Sequence, residues 1–215
     1  MIGKDFIFIE TPKCATTSFR EWALEKNLAC PKLNNSLRRH IKSTAYLNVV
    51  TERSHPFKRW VAFVRNPYSR LVSEYEYLLK IGTNPTQAVK NDNHTKFGQR
   101  IVNDYPTFES FVLAITKDYQ LGQYLKGTTQ HSFLSVVHEH ILSQVERVVP
   151  NLVRMERLHL DFEELCERMG WQFSKLPHHN VSVSTKSWQD YYNEDIKTLV
   201  YNYYKKDFDI GGYFR

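Results

Sequence analysis

Lys13, Thr16, Thr17 and Ser18 fall within six consecutive positions, directly after the apolar run Phe6-Ile7-Phe8-Ile9. An ammonium, several hydroxyls and a row of backbone N–H groups where a helix begins form an anion site, because those N–H groups lack intrahelical partners and sit at the positive end of the helix dipole. A second set follows the apolar run Trp60-Val61-Ala62-Phe63-Val64, where Arg65 precedes Ser73 by eight positions. A guanidinium matches a phosphate with two parallel hydrogen bonds. That makes a second strand–loop–helix unit with polar groups at the crevice end of the sheet.

The elements that must position these residues can be read from the flanking pattern. Phe6 to Ile9 predicts a short buried strand, and Phe19 to Asn27 continues the turn as an amphipathic helix. Trp60 to Val64 is aromatic and β-branched, which predicts a second buried parallel strand. Asn66 is a good N-cap and Pro67 a good first helical residue, after which Leu71, Val72, Tyr75, Leu78 and Leu79 share one helical face up to Gly82. Residues 83–106 are polar and read as a long loop, followed by a short helix from Thr107 to Lys117. Val145–Val149 and Leu152–Met155 are strand candidates, Asp161 and Glu164 have capping-box spacing before a helix that stops at Gly170, and Asn193–Lys206 is a final helix rich in Tyr. Strands alternating with helices predict an α/β fold: one domain over residues 1–215, with a central, mostly parallel sheet flanked by helices and a P-loop-like nucleotide-binding core.

Composition narrows the class. A net charge of +6 favours anionic partners, although such an excess also serves solubility. The three cysteines, Cys14, Cys30 and Cys166, form no C-x-x-C pair, so neither a zinc site nor a disulfide framework is indicated, and a reducing compartment is expected. There is no apolar run long enough for a membrane span and no signal-peptide pattern. The N-x-[ST] triplets at Asn34, Asn93 and Asn180 are close to chance and are not read as glycosylation.

The two motifs together, Thr11-Pro12-Lys13-Cys14-Ala15-Thr16-Thr17-Ser18 and Val64-Arg65-Asn66-Pro67-Tyr68-Ser69-Arg70-Leu71-Val72-Ser73-Glu74-Tyr75, resemble the signatures of the sulfotransferase superfamily that uses 3′-phosphoadenosine 5′-phosphosulfate (PAPS). The likeness is to the carbohydrate (family 2 type) branch and its bacterial relatives. It implies that Pro12, Lys13, Cys14, Ala15, Thr16, Thr17 and Ser18 hold the 5′-phosphosulfate, that Arg65 and Ser73 hold the 3′-phosphate, and that Lys13 stabilises charge on the bridging oxygen. One departure is Ala15, where the family usually carries Gly. His40, in Arg39-His40-Ile41-Lys42, resembles the family's His-containing segment before the second motif, where a general base is expected; His55, Glu52 and Glu10 rank behind it. Weaker landmarks are Gln130–Leu134, Arg154–Leu158 with Asp161-Phe162, and Asp207-Phe208 with Gly212-Tyr213. The resemblance implies PAPS as cosubstrate with no metal required, a carbohydrate or other hydroxyl-bearing acceptor, and acceptor walls from residues 83–106 and 120–140. A soluble, cytoplasmic enzyme is expected, or a Golgi-lumenal one if the chain is cut from a membrane-anchored protein.

Other features take bland readings. His138-Glu139-His140 and His178-His179 lack H-E-x-x-H spacing. Tyr191, Tyr192, Tyr201, Tyr203 and Tyr204 read as helix packing rather than a stacking platform for bases, and Lys186 as an exposed loop lysine. Two other functions stay in competition. A P-loop nucleoside or nucleotide kinase predicts G-x-x-x-x-G-K-[ST], which is absent, and the first loop contains no Gly at all. A basic nucleic-acid-binding domain predicts a motif set or a Lys/Arg-dense arm, and neither is present.

Overall fold

The computed structural model describes residues 1–29, 59–84, 93–117, 151–178 and 186–215. Its elements are β1 (Phe6–Ile9), α1 (Thr16–Glu25), β2 (Arg59–Val64), α2 (Pro67–Thr83), α3 (Asn93–Asp104), α4 (Phe108–Lys117), β3 (Asn151–Arg154), α5 (Leu158–Met169) and α6 (Glu194–Gly211). The three strands form one parallel sheet in the order β1-β2-β3, with Ile9 opposite Ala62 and Val64 opposite Arg154. This is the expected α/β architecture. Parallel strands bring their C-terminal ends to one edge, so the β1–α1 turn, the β2–α2 turn and the segment after β3 meet there.

Strand alternation decides what covers each face of the sheet. Phe6, Phe8, Val61, Phe63 and Val153 point to one side and pack with Phe19 and Trp22 of α1 and Phe162 and Leu165 of α5. The rings of Phe8 and Phe63 lie 4.3 and 5.2 Å from that of Phe19, and Phe162 sits 4.9 Å from Trp22. Ile9, Ala62 and Val64 point the other way, with Ile210 and Tyr213 packed against them. A second core joins α2, α3, α4 and α6, and the tyrosine run belongs to it. Tyr204 is fully buried, while Tyr191 and Tyr192 pack on Phe108 at 5.4 and 4.9 Å.

Local chemistry explains most boundaries. Asn66 accepts a hydrogen bond from the Tyr68 N–H at 2.9 Å and Pro67 takes the first helical position, as the sequence predicts. Asn193 caps α6 in the same way through the Ile196 N–H at 2.9 Å. Gly170 ends α5 in the left-handed conformation at φ 69°.

Several expectations change. Residues 93–104, read as part of a loop, form α3, which α2 meets at a close crossing: a Cβ on Gly82 would lie 2.3 Å from the carbonyl carbon and oxygen of Gly98. The two glycines let the backbones touch, so Gly82 is a packing residue before it is a helix stop. Asp161 does not cap α5, which begins at Leu158; its carboxylate accepts the Arg154 N–H at 3.0 Å and pairs with Arg157 at 3.3 Å. Helix α6 runs five residues beyond Lys206, to Gly211. The strand candidate at 145–149 and the segment 120–140 lie outside the described residues.

Candidate active site

The β1–α1 turn is shaped by backbone conformation. Lys13 and Ala15 both have positive φ, 62° and 48°. Ala15 stands at the N-cap of α1 in the left-handed region, so the position where the family usually has Gly is one that demands the conformation Gly adopts most easily. No side chain caps α1, and no acidic residue stands in its first turn. Its first-turn N–H groups therefore face the turn without a side-chain competitor, with Thr16, Thr17 and Ser18 alongside. Thr11 fastens the turn to the neighbouring strand by donating to the Phe63 carbonyl, and the Cys14 thiol turns back to the Pro12 carbonyl at 3.4 Å. Burial is the main cause that raises the Cys14 thiol pKa, so it is a packing group rather than a nucleophile.

Arg65 leaves the end of β2 and is held by its Nε, which donates to Ser69 Oγ at 3.0 Å. Burial lowers its pKa, and the Arg70 charge adds to that lowering. Lys13 is likewise lowered, first by burial and also by the Arg65 charge, with Glu74 acting in the opposite direction. The structure thus brings Lys13 and Arg65, 52 positions apart in sequence, into one desolvated cationic region. Positive charge away from water is unfavourable without an anion, and the Glu74 carboxylate supplies part of that balance at Lys13. Ser73 is buried two turns into α2, the helix that Arg65 precedes.

The third strand contributes support. Glu156 accepts from the Asn66 N–H at 2.8 Å and from the Tyr213 hydroxyl at 2.7 Å, tying the end of β3 to the β2–α2 turn and to the C-terminal segment. The late landmarks around Glu156 and Tyr213 are therefore parts of one scaffold beneath the turns. Arg70, nearly inaccessible, pairs with Asp207 of α6 at 3.4 Å and lies 5.0 Å from the Tyr204 ring. Burial acts to lower its pKa, but Tyr204 and Asp207 outweigh burial and the guanidinium is held charged.

Of the candidate bases, only Glu10 lies within the described residues. Its carboxylate is engaged, with Arg20 at 2.6 Å and the Met1 ammonium at 3.1 Å. Burial works to raise its pKa, yet these cations pull it below the usual carboxylate value, which suits a structural anion and not a proton acceptor. His40, His55 and Glu52 lie outside the described residues, and Lys186 is exposed.

Sequence reasoning missed two residues. The Lys13 ammonium rests 4.2 Å from the centroid of the Tyr77 ring, and Glu74 is completely buried beside the cationic region. A signal existed, since Arg70, Glu74 and Tyr77 follow i, i+4, i+7 spacing on α2.

A family model described as "Sulfotransferase family" matches residues 3–213. The chain belongs to the sulfotransferase family. It is therefore a PAPS-dependent sulfotransferase, an enzyme that moves a sulfuryl group from the nucleotide donor to an acceptor. No curated protein and no solved structure is matched by the chain. Among the described residues no helix is long and apolar enough to cross a membrane. Family membership decides against the kinase and nucleic-acid readings, and the sulfotransferase match spans both turns of the site.

Proposed function

We propose that this sulfotransferase, one domain over residues 1–215, sulfates a carbohydrate hydroxyl, with the two turns clamping a nucleotide phosphorylated at both ends. The observation that carries the reading is the meeting of Lys13 and Arg65, both desolvated, at the C-terminal ends of adjacent parallel strands. Pro12, Lys13, Cys14, Ala15, Thr16, Thr17 and Ser18 form the cradle for the 5′-phosphosulfate, the backbone N–H groups at the start of α1 donating to its oxygens. Arg65 and Ser73 take the 3′-phosphate. In the transfer step the acceptor oxygen attacks sulfur in line, and the bond from sulfur to the bridging oxygen breaks. The acceptor proton passes to His40, and the charge left on the bridging oxygen is met by the Lys13 ammonium. The products are a sulfate ester and adenosine 3′,5′-bisphosphate. Such chemistry draws on positioning and electrostatics, with no covalent intermediate on the protein.

Thermal denaturation with adenosine 3′,5′-bisphosphate and with ATP–Mg²⁺ tests the donor assignment. At a hundredfold excess over its dissociation constant the bisphosphate stabilises by about 2.7 kcal/mol. Stabilisation by ATP–Mg²⁺ alone overturns the clamp. The acceptor class is read by transfer to glycans against lipids and small phenols, and His40 by whether His40→Ala loses turnover at saturating PAPS.

A further inference from the structure

Glu74 is 1% exposed, and among the described residues neither of its carboxylate oxygens has a hydrogen-bond partner. An orphaned carboxylate in such a place is expensive, so its retention beside the donor clamp calls for a reason. The charges acting on it are Lys13, from the β1–α1 turn, and Arg70, one helical turn earlier on α2. From α6 the neighbouring titratable groups are Tyr204, whose hydroxyl feels the Glu74 charge, and Asp207, which is paired with Arg70. From α3 the buried polar residue is Thr95, which does not titrate. Arg70 is therefore committed to Asp207 and the Tyr204 ring. Lys13 is the other cation acting on Glu74, and its ammonium lies 4.2 Å from the ring centroid of Tyr77, a residue of the same helix three positions after Glu74.

We propose that Glu74 is a positioning residue for Lys13: with the Tyr77 ring it holds the ammonium in a resting place, and it takes up a proton when the donor draws the ammonium away. This rests on the donor clamp described above. With the donor absent, the Lys13 charge lets Glu74 stay partly ionised even though it is buried. When the phosphosulfate occupies the turn, the ammonium moves to the anion, and a carboxylate left in that field would face both burial and a new negative neighbour. Protonation removes both costs. Burial already pushes the Glu74 carboxyl up to about 7, against the opposing pull of Lys13 and Arg70, so the proton is exchanged near neutral pH. The sign is fixed: donor binding raises the affinity of Glu74 for a proton, so rising pH must weaken donor binding.

The test compares the affinity of adenosine 3′,5′-bisphosphate for the wild type and for Glu74→Gln at pH 6 and pH 8 by titration calorimetry. The ratio of the two proteins' dissociation constants cancels the ligand's own ionisation. If the protonated form is the one that binds, the wild type loses about tenfold relative to Glu74→Gln between these pH values, and Glu74→Gln itself keeps a neutral group at the position throughout. A ratio that stays constant overturns the inference while leaving the clamp intact. Absence of binding to the wild type at both pH values overturns the clamp and this inference with it. If Glu74→Gln fails to fold, infrared difference spectroscopy on the wild type gives the answer: addition of the nucleotide at pH 8 produces the band of a neutral, buried carboxylic acid. Its absence refutes proton uptake.

Discussion

Ala15 offers the sharpest test of how the β1–α1 turn is built. Its φ of 48° and ψ of 28° place an L-residue with a Cβ in the left-handed region. That conformation costs about 1–2 kcal/mol for a residue other than Gly. Ala15→Gly removes the penalty in the folded state, but it also frees the unfolded chain, which costs about 0.4–1 kcal/mol of stability. The balance is a net gain of about 0.5–1 kcal/mol, equivalent to a rise in Tm of about 1–4 °C for a chain of this size. Urea denaturation of Ala15→Gly, with Ala15→Val as the opposing control, reads the effect directly. Ala15→Val adds a β-branch to the same conformation and loses at least about 1 kcal/mol. If Ala15→Gly is less stable than the wild type, the left-handed geometry of the turn is wrong, and with it the reason for a small residue at that position.

Arg70→Met leaves the Asp207 carboxylate buried without its ion pair and costs about 3–5 kcal/mol in denaturant unfolding, and the double variant Arg70→Met/Asp207→Leu recovers most of the loss. Gly82→Ala gains about 1 kcal/mol of helix propensity but forces a methyl into the Gly98 backbone at 2.3 Å, so it ends about 1–2 kcal/mol less stable and a thermal melt shows the drop. Arg65→Ala weakens binding of adenosine 3′,5′-bisphosphate by about 2–4 kcal/mol in a calorimetric titration, while its unfolding midpoint without nucleotide stays close to that of the wild type.

Elements whose signals are local were legible in the sequence. Continuous apolar runs announced β1 and β2, and Asn66-Pro67 announced the start of α2, because caps and buried strands are specified by the residues that form them. Helix α3 was not legible. Phe97 and Ile101 share a face at i, i+4 spacing, but that apolar pair among Asn, Lys, Gln and Arg reads as loop, and the helix's place is set by the Gly82–Gly98 crossing with another helix. Asp161 misled because a carboxylate three positions before Glu164 looks like a cap, whereas the tertiary fold offers it Arg157 and the Arg154 N–H. In the candidate site, Lys13, Arg65 and Ser73 were singled out because their spacing resembles a family pattern. Glu74 was hidden: the first two turns of α2 are buried on every side, and this burial depends on the β1–α1 turn and α6, which lie far away in sequence.

The most direct measurement of the central claim is transfer of radiolabelled sulfate from PAPS to a panel of glycans, run with the wild type and with Lys13→Ala. The account predicts a labelled glycan with the wild type and none with Lys13→Ala, although that variant still folds. Equal labelling by the two proteins, or no labelled product from the wild type with any glycan in the panel, contradicts it.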